Sequence, residues 1–183
     1  MNNNKNTAKI AGALILIAYG VISSSFTESV PVIAFFELIS GIAVILIGLL
    51  MIKVFKPYGK NITLCFAIPR VTEGIFLSIA AFFYLPENPF FMEMHDWVYK
   101  IHPYIFFLTG MLFYYLFYKS ILIPRFISVW GIIALLMLLM VNLLEITGHS
   151  NSMAMLLYFP IVLNEVFLAM WLIIKGFNIT TNK

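Results

Sequence analysis

The stretch from Val32 to Val54 reads VIAFFELISGIAVILIGLLMIKV, and its charged residues are Glu37 and Lys53. A run of about 20 predominantly apolar residues is long enough to cross the hydrocarbon core of a bilayer as a helix. The apolar residues form a continuous block and lack the three-or-four spacing of an amphipathic helix in a soluble protein. This stretch therefore predicts a transmembrane helix.

Five further apolar blocks flank this stretch. The predicted spans are Ile10 to Phe26, Val32 to Val54, Ile62 to Leu85, Ile101 to Phe117, Ile127 to Leu144 and Met153 to Ile174. Of the 183 residues 62% are hydrophobic and 10% are charged, whereas about 25% are charged in a typical soluble domain. The chain is predicted to be an all-α, polytopic integral membrane bundle of six transmembrane helices, a single domain over residues 1–183 in contact with the lipid bilayer.

Basic residues collect on one side of the predicted spans. That side receives Lys5, Lys9, Lys53, Lys56, Lys60, Lys119, Arg125, Lys175 and Lys183, and the other receives Lys100 with Glu28, Glu87, Glu93, Asp96 and Glu145. Since Lys and Arg are retained in the cytoplasm, both termini are predicted to be cytoplasmic and the acidic segment from Pro86 to Lys100 is predicted to be an outer loop. The basic residues form no stripe of the kind that binds nucleic acid, so no nucleic acid is predicted as a partner.

Small residues recur on one face of each of the first two spans. Gly12, Leu16, Gly20 and Ser24 follow one another every four residues in the first span, and Gly41, Val44 and Gly48 share a stripe in the second. Small residues let transmembrane helices approach closely. Packing inside the bundle is the first interpretation, and a homo-oligomer formed through these faces is the alternative.

Two stretches of the chain resemble a known family. They are Gly110 to Gly131, GMLFYYLFYKSILIPRFISVWG, and Asn164 to Asn178, NEVFLAMWLIIKGFN, and the likeness extends to Arg70, Glu73 and Gly74. The sequence resembles the uncharacterised bacterial six-span membrane proteins catalogued as domain of unknown function 4386. This resemblance implies six helices and a bacterial inner membrane, and it implies no reaction.

Four charged residues lie inside the predicted spans and away from their ends: Glu37, Arg70, Glu73 and Glu165. Each would cost about 2.5 to 3.5 kcal/mol at the centre of a helix in the bilayer, so they are expected to face the interior of the bundle. Arg70 and Glu73 are three residues apart on one helix face and can pair. Glu165, next to Asn164, is expected at a similar depth, where Arg70 would bridge both carboxylates.

The charges in the membrane do not balance, because three carboxylates accompany one guanidinium. At least one carboxylate is therefore expected to be protonated or neutralised by something bound. One interpretation is a non-enzymatic structural, sensory or accessory protein with a buried Arg/Glu network. The alternative is a small proton-linked or cation-linked transporter, or a protein that binds a polar ligand, with a site at Glu37, Arg70, Glu73, Asn164 and Glu165.

All three histidines, His95, His102 and His149, are predicted near the outer boundary, where Glu145 also lies. Imidazoles and carboxylates are ligands for zinc or copper, although their spacing here matches no metal motif. They define a third hypothesis, a membrane enzyme with an outward-facing His/acid site. No particular cofactor is indicated by the sequence.

Overall fold

The computed structural model describes residues 2–86, 88–148 and 156–178, and the elements in these ranges are helices. They are α1 (Asn2–Ala18) with the 3-10 helix Tyr19–Ser25, α2 (Val30–Phe55) with the 3-10 turn Lys56–Tyr58, α3 (Lys60–Tyr84), α4 (Pro89–Ser120), α5 (Arg125–Ile146), and α6 (Phe159–Ile174) preceded by the 3-10 turn Leu156–Tyr158. Six helical segments of the described chain are long and apolar enough to span a membrane. The predicted fold class is confirmed.

The six helices pack in chain order, and α6 contacts α1. Gly176, just after α6, lies beside Lys5 and Ala8 of α1, and the Asn178 N–H donates to the Leu122 carbonyl between α4 and α5. Both described ends of the chain therefore lie at the same end of the bundle as the α2–α3 and α4–α5 connections. We call this end the terminal face, and the end with the other three connections the opposite face.

Helix α4 begins earlier than expected, so the predicted outer loop from Pro86 to Lys100 is wrong for residues 89–100. The Asn88 side chain accepts a hydrogen bond from the Phe90 N–H at 3.0 Å and caps the helix, and Pro89 occupies its first turn. Pro favours that position because it has no N–H to leave unsatisfied. At about 1.5 Å per residue the 32 residues of α4 span roughly 48 Å, more than the thickness of the hydrocarbon core.

The terminal half of the bundle is filled by a cluster of aromatic side chains. The ring of Phe55 on α2 meets Phe66 on α3 at 5.8 Å and Phe117 on α4 at 5.0 Å between centroids, both edge to face. Phe113 stacks on Phe66 at 5.4 Å. Edge-to-face and stacked pairs are favourable geometries for aromatic rings, so this cluster closes the centre of the bundle toward the terminal face.

The small-residue faces are used within the bundle. A side chain at Gly41 of α2 would lie 2.7 Å from the Gly74 carbonyl oxygen of α3, and one at Gly74 would lie 2.6 Å from the Gly41 carbonyl oxygen. A side chain at Gly12 would likewise lie 2.6 Å from the Ala169 carbonyl oxygen of α6. The α2–α3 and α1–α6 pairs therefore meet backbone to backbone, as small residues allow.

Large apolar side chains cover the outside of the bundle. Phe35, Ile68, Phe82, Leu136 and Leu163 are among those at least half exposed. An apolar surface of this extent is stable in contact with lipid and not with water. The lipid bilayer is the surrounding medium of this fold.

Candidate functional site

A central cavity of about 210 Å³ lies between mid-height and the opposite face. Every helical segment contributes to its lining, which includes Tyr19, Val44, Glu73, His102, Leu138 and Glu165. Arg70 lines it as well, so three of the residues predicted from the sequence border one cavity. Its walls are otherwise apolar, and the aromatic cluster of the terminal half lies beneath it.

Glu73 of α3 lies at one side of the cavity, and its carboxylate forms an ion pair with Arg70. The Arg70 guanidinium on the same helix donates to both carboxylate oxygens, at 3.1 and 3.2 Å. From α4, the Thr109 hydroxyl donates at 2.8 Å and His102 Nε2 lies at 3.2 Å. Glu73 is only 1% exposed, so this group joins α3 to α4 as a buried, charge-assisted network.

Arg70 also faces the cavity through the rest of its guanidinium. The guanidinium carbon, Cζ, lies 5.6 Å from the centroid of the Phe106 ring, which is a cation–π distance. Its Nε is buried and has no hydrogen-bond partner among the described residues. A buried donor without a partner is costly, so this nitrogen adds to the cost of burying Arg70 at the cavity wall.

Glu165 of α6 has a different environment. The Tyr19 hydroxyl donates to its Oε2 at 3.0 Å, and no basic side chain of the described chain lies within 4.0 Å of its carboxylate. The predicted bridge from Arg70 to both Glu73 and Glu165 is therefore not formed. The physical reason is that the guanidinium is held by Glu73 one turn away on its own helix, whereas Glu165 lies on another wall of the cavity.

Glu37 and Asn164, the other two predicted site residues, point elsewhere. The Asn164 amide donates to the Ile127 carbonyl of α5 at 3.0 Å and joins α6 to α5. Glu37 on α2 is 2% exposed and contacts His95 of α4, with Nε2 3.2 Å from Oε1. Neither residue lines the central cavity.

The predicted outer metal cluster is not assembled by the described residues. His95 contacts Glu37, His102 contacts Glu73, and Glu145 accepts a hydrogen bond from the Tyr158 hydroxyl at 3.2 Å. His149 lies outside the described residues. Within residues 2–86, 88–148 and 156–178, no group of three or more His, Cys, Asp or Glu side chains could hold a metal ion.

The residues of α4 that contact Glu37 and Glu73 were not identified as their partners from the sequence, and they lie along one face of the helix. His95, His102 and Thr109 are seven residues apart in turn, which places them on the same side of a helix. They contact Glu37, Glu73 and Glu73 respectively. The spacing of seven residues was visible in the sequence, but His95 lay in a segment that was interpreted as a loop.

The comparisons with known proteins assign a family and no activity. The sequence model described as "Domain of unknown function (DUF4386)" matches residues 85–176. This range includes the stretch Gly110 to Gly131 and the stretch from Asn164 as far as Gly176, and it excludes Arg70, Glu73 and Gly74. No curated protein and no solved structure matches the chain.

Proposed function

The chain belongs to the family of domain of unknown function DUF4386, and we propose on that premise that it is a membrane-embedded, non-enzymatic binding protein for a small amphiphile with a cationic head. The head would lie against Glu165 in the central cavity, with the Tyr19 hydroxyl as a further polar contact. The apolar part would lie against the walls.

The observation that carries this proposal is the difference between the two cavity carboxylates. Glu73 has a guanidinium, an imidazole and a hydroxyl around it, whereas Glu165 has one tyrosine hydroxyl. An ionised carboxylate buried without a cation is expensive. A ligand that brings a positive charge would remove that cost, so the cavity selects for an ammonium or a similar head.

The lining of the cavity supports an apolar body for the ligand. Val44, Leu77, Leu138, Ile161 and Val162 form much of the wall. Ligand sites in proteins commonly combine an apolar lining with a few placed polar groups. An apolar molecule with one charged end fits this arrangement better than a freely soluble ion does.

A second space offers a route from the bilayer. A groove of about 230 Å³ between α3 and α4 is lined by exposed Phe76, Trp97 and Ile101, and also by Glu73 and His102. Those last two residues line the central cavity too. The hydrogen-bonded pair of His102 and Glu73 therefore separates the groove from the cavity. An amphiphile dissolved in the bilayer would enter the cavity past this pair.

The setting that we propose is a bacterial cytoplasmic membrane with both termini in the cytoplasm. The described terminal face carries basic residues from Lys53, Lys60, Lys119, Arg125 and Lys175, all at or just beyond helix ends. The bias of basic residues toward the cytoplasm supports that orientation. The central cavity would then face the periplasmic side.

The test uses dodecylamine as the probe, with calorimetric titration of the purified protein in detergent. Dodecanol and dodecanoate are the matched head-group controls. We expect binding of the amine to exceed that of both controls, and Glu165→Gln to weaken it roughly ten- to hundredfold, because a hydrogen bond to a charged group contributes about 1.5 to 3 kcal/mol.

Glu93→Gln is the control variant, since Glu93 is an exposed carboxylate on α4 that lines none of the described cavities. It should bind dodecylamine like the wild type. Equal binding of the amine, the alcohol and the carboxylate, or an unchanged affinity in folded Glu165→Gln, would overturn the proposal.

A further inference from the structure

We propose that the terminal face carries a binding site for an anionic phospholipid, formed by the turn between α2 and α3 together with the end of α4. Lys119 would contact the lipid phosphate, and Lys56 and Lys60 would be the neighbouring cations. None of these three lysines lines the central cavity. The site is therefore separate from the one proposed for a cationic amphiphile, and it stands or falls independently of it.

The turn between α2 and α3 is fixed at Gly59. Its N–H donates to the Lys56 carbonyl at 3.3 Å, and its own carbonyl accepts from the Thr63 N–H at 3.1 Å and from the Thr63 hydroxyl at 2.7 Å. The φ angle of Gly59 is 148°, a value that residues with a side chain rarely adopt. Lys56 and Lys60 therefore flank a turn whose central residue has no side chain.

Lys119 reaches this turn from the last residues of α4. A Cβ atom on Gly59 would lie 3.7 Å from Lys119 Nζ, so the ammonium group lies against the turn. No carboxylate of the described chain lies within 4.0 Å of Lys56, Lys60 or Lys119. Lysines from two different parts of the bundle thus meet at one place without a negative partner.

The acidic residues of the neighbouring helices lie too far away to pair with these lysines. The chain has no Asp or Glu at residues 38–72 or 97–144. Glu73 contacts Thr109, which is ten residues before Lys119, so about 15 Å of helix separates them. An ion pair requires about 4 Å. The partner of this basic group must therefore come from outside the chain.

The surface next to the lysines favours a lipid over a soluble anion. Leu64 and Ile68 follow Lys60 at intervals of four residues, which places them on the same side of α3, and both are exposed. Tyr115, one turn before Lys119 on α4, is exposed as well. Exposed apolar surface thus continues from the lysines toward the middle of the bilayer, where acyl chains lie. Basic pockets between transmembrane helices are known to bind anionic head groups.

Native mass spectrometry of the purified protein in detergent tests the site, because it resolves the protein with each number of bound lipids. The probe is dioleoylphosphatidylglycerol. The control lipid is dioleoylphosphatidylcholine, which has the same chains and a zwitterionic head. Lys119→Gln removes the proposed phosphate contact. Lys175→Gln is the matched control variant, since it removes the same charge from the same face at the end of α6, which packs against α1 and α5.

We expect phosphatidylglycerol to bind roughly tenfold more tightly than phosphatidylcholine, and Lys119→Gln to weaken binding of phosphatidylglycerol roughly fivefold. Lys175→Gln should bind like the wild type. Equal binding of the two lipids would overturn the site, and so would an equal loss in Lys119→Gln and Lys175→Gln, which indicates only diffuse attraction to the basic face. Displacement of bound phosphatidylglycerol by excess inorganic phosphate would also overturn it, because the ligand would then be a soluble anion.

Discussion

Replacing Glu73 by Gln should destabilise the fold far more than replacing Glu165 by Gln. Both substitutions keep the size of the side chain and remove its charge. Glu73→Gln leaves the Arg70 guanidinium without its carboxylate, whereas Glu165→Gln leaves no described cation unpaired. The two carboxylates line the same cavity, so the comparison contrasts a carboxylate that has an ionic partner with one that has none.

The magnitude follows from burial and from the contacts of each group. Removing one partner of a buried ion pair costs about 3 to 5 kcal/mol. The Arg70 side chain is 10% exposed toward the cavity, so we expect the lower end of that range, about 3 kcal/mol. Glu165→Gln weakens one hydrogen bond from Tyr19 and should cost about 1 kcal/mol or less.

The assay is reversible unfolding in mixed detergent micelles, followed by circular dichroism, for wild type, Glu73→Gln and Glu165→Gln. A double variant, Arg70→Gln with Glu73→Gln, is the control. Because it removes both charges, it should recover much of the loss, with a coupling of roughly 2 kcal/mol. If Glu165→Gln costs as much as Glu73→Gln, or if Glu73→Gln is neutral, the ion pair with Arg70 does not distinguish the two carboxylates.

Three further predictions concern the scaffold. Gly41→Ala should destabilise by about 1 to 3 kcal/mol, because the added methyl meets the backbone of α3. Gly110→Ala should be near neutral in the same unfolding assay, because the atoms nearest its methyl belong to the flexible Leu135 side chain. Ile121→Asn should stabilise by roughly 1 kcal/mol, because a β-branched residue there has φ 55°; an unchanged or lower midpoint would contradict this. Asn88→Ala should remove the cap of α4 at a cost of about 1 kcal/mol and speed amide exchange in its first turns; unchanged exchange there would show that the cap is dispensable.

Hydropathy predicted the architecture because the physics of insertion is local: each apolar block must satisfy its backbone hydrogen bonds within its own helix. The Arg70–Glu73 pair was predictable for the same reason, since both partners lie one turn apart on α3. The position of Glu165 beside the same cavity could be predicted from its depth along its helix. Its hydrogen-bond partner Tyr19 could not be predicted in this way.

The cross-helix partners could not be read from hydropathy, because they depend on which helices adjoin and how each is rotated. Glu93 and Asp96 lowered the hydropathy of residues 89–100, which were interpreted as a loop. Both are exposed on a helix whose other face carries His95 and Tyr99. That misassignment hid the pairing of Glu37 with His95, and Glu37 was instead assigned to the site with Arg70, Glu73 and Glu165.

Photolabelling tests most directly whether an amphiphile occupies the central cavity, because it identifies the residues beside the bound chain without requiring knowledge of the natural ligand. The probe is dodecylamine with a diazirine in its chain, added to the protein in liposomes, with mapping of the labelled peptides by mass spectrometry. We predict labels on cavity residues Leu138, Ile161 and Val162, suppressed by excess dodecylamine and absent in Glu165→Gln. Labels spread over the lipid-facing surface, unaffected by competitor or by Glu165→Gln, would contradict the account.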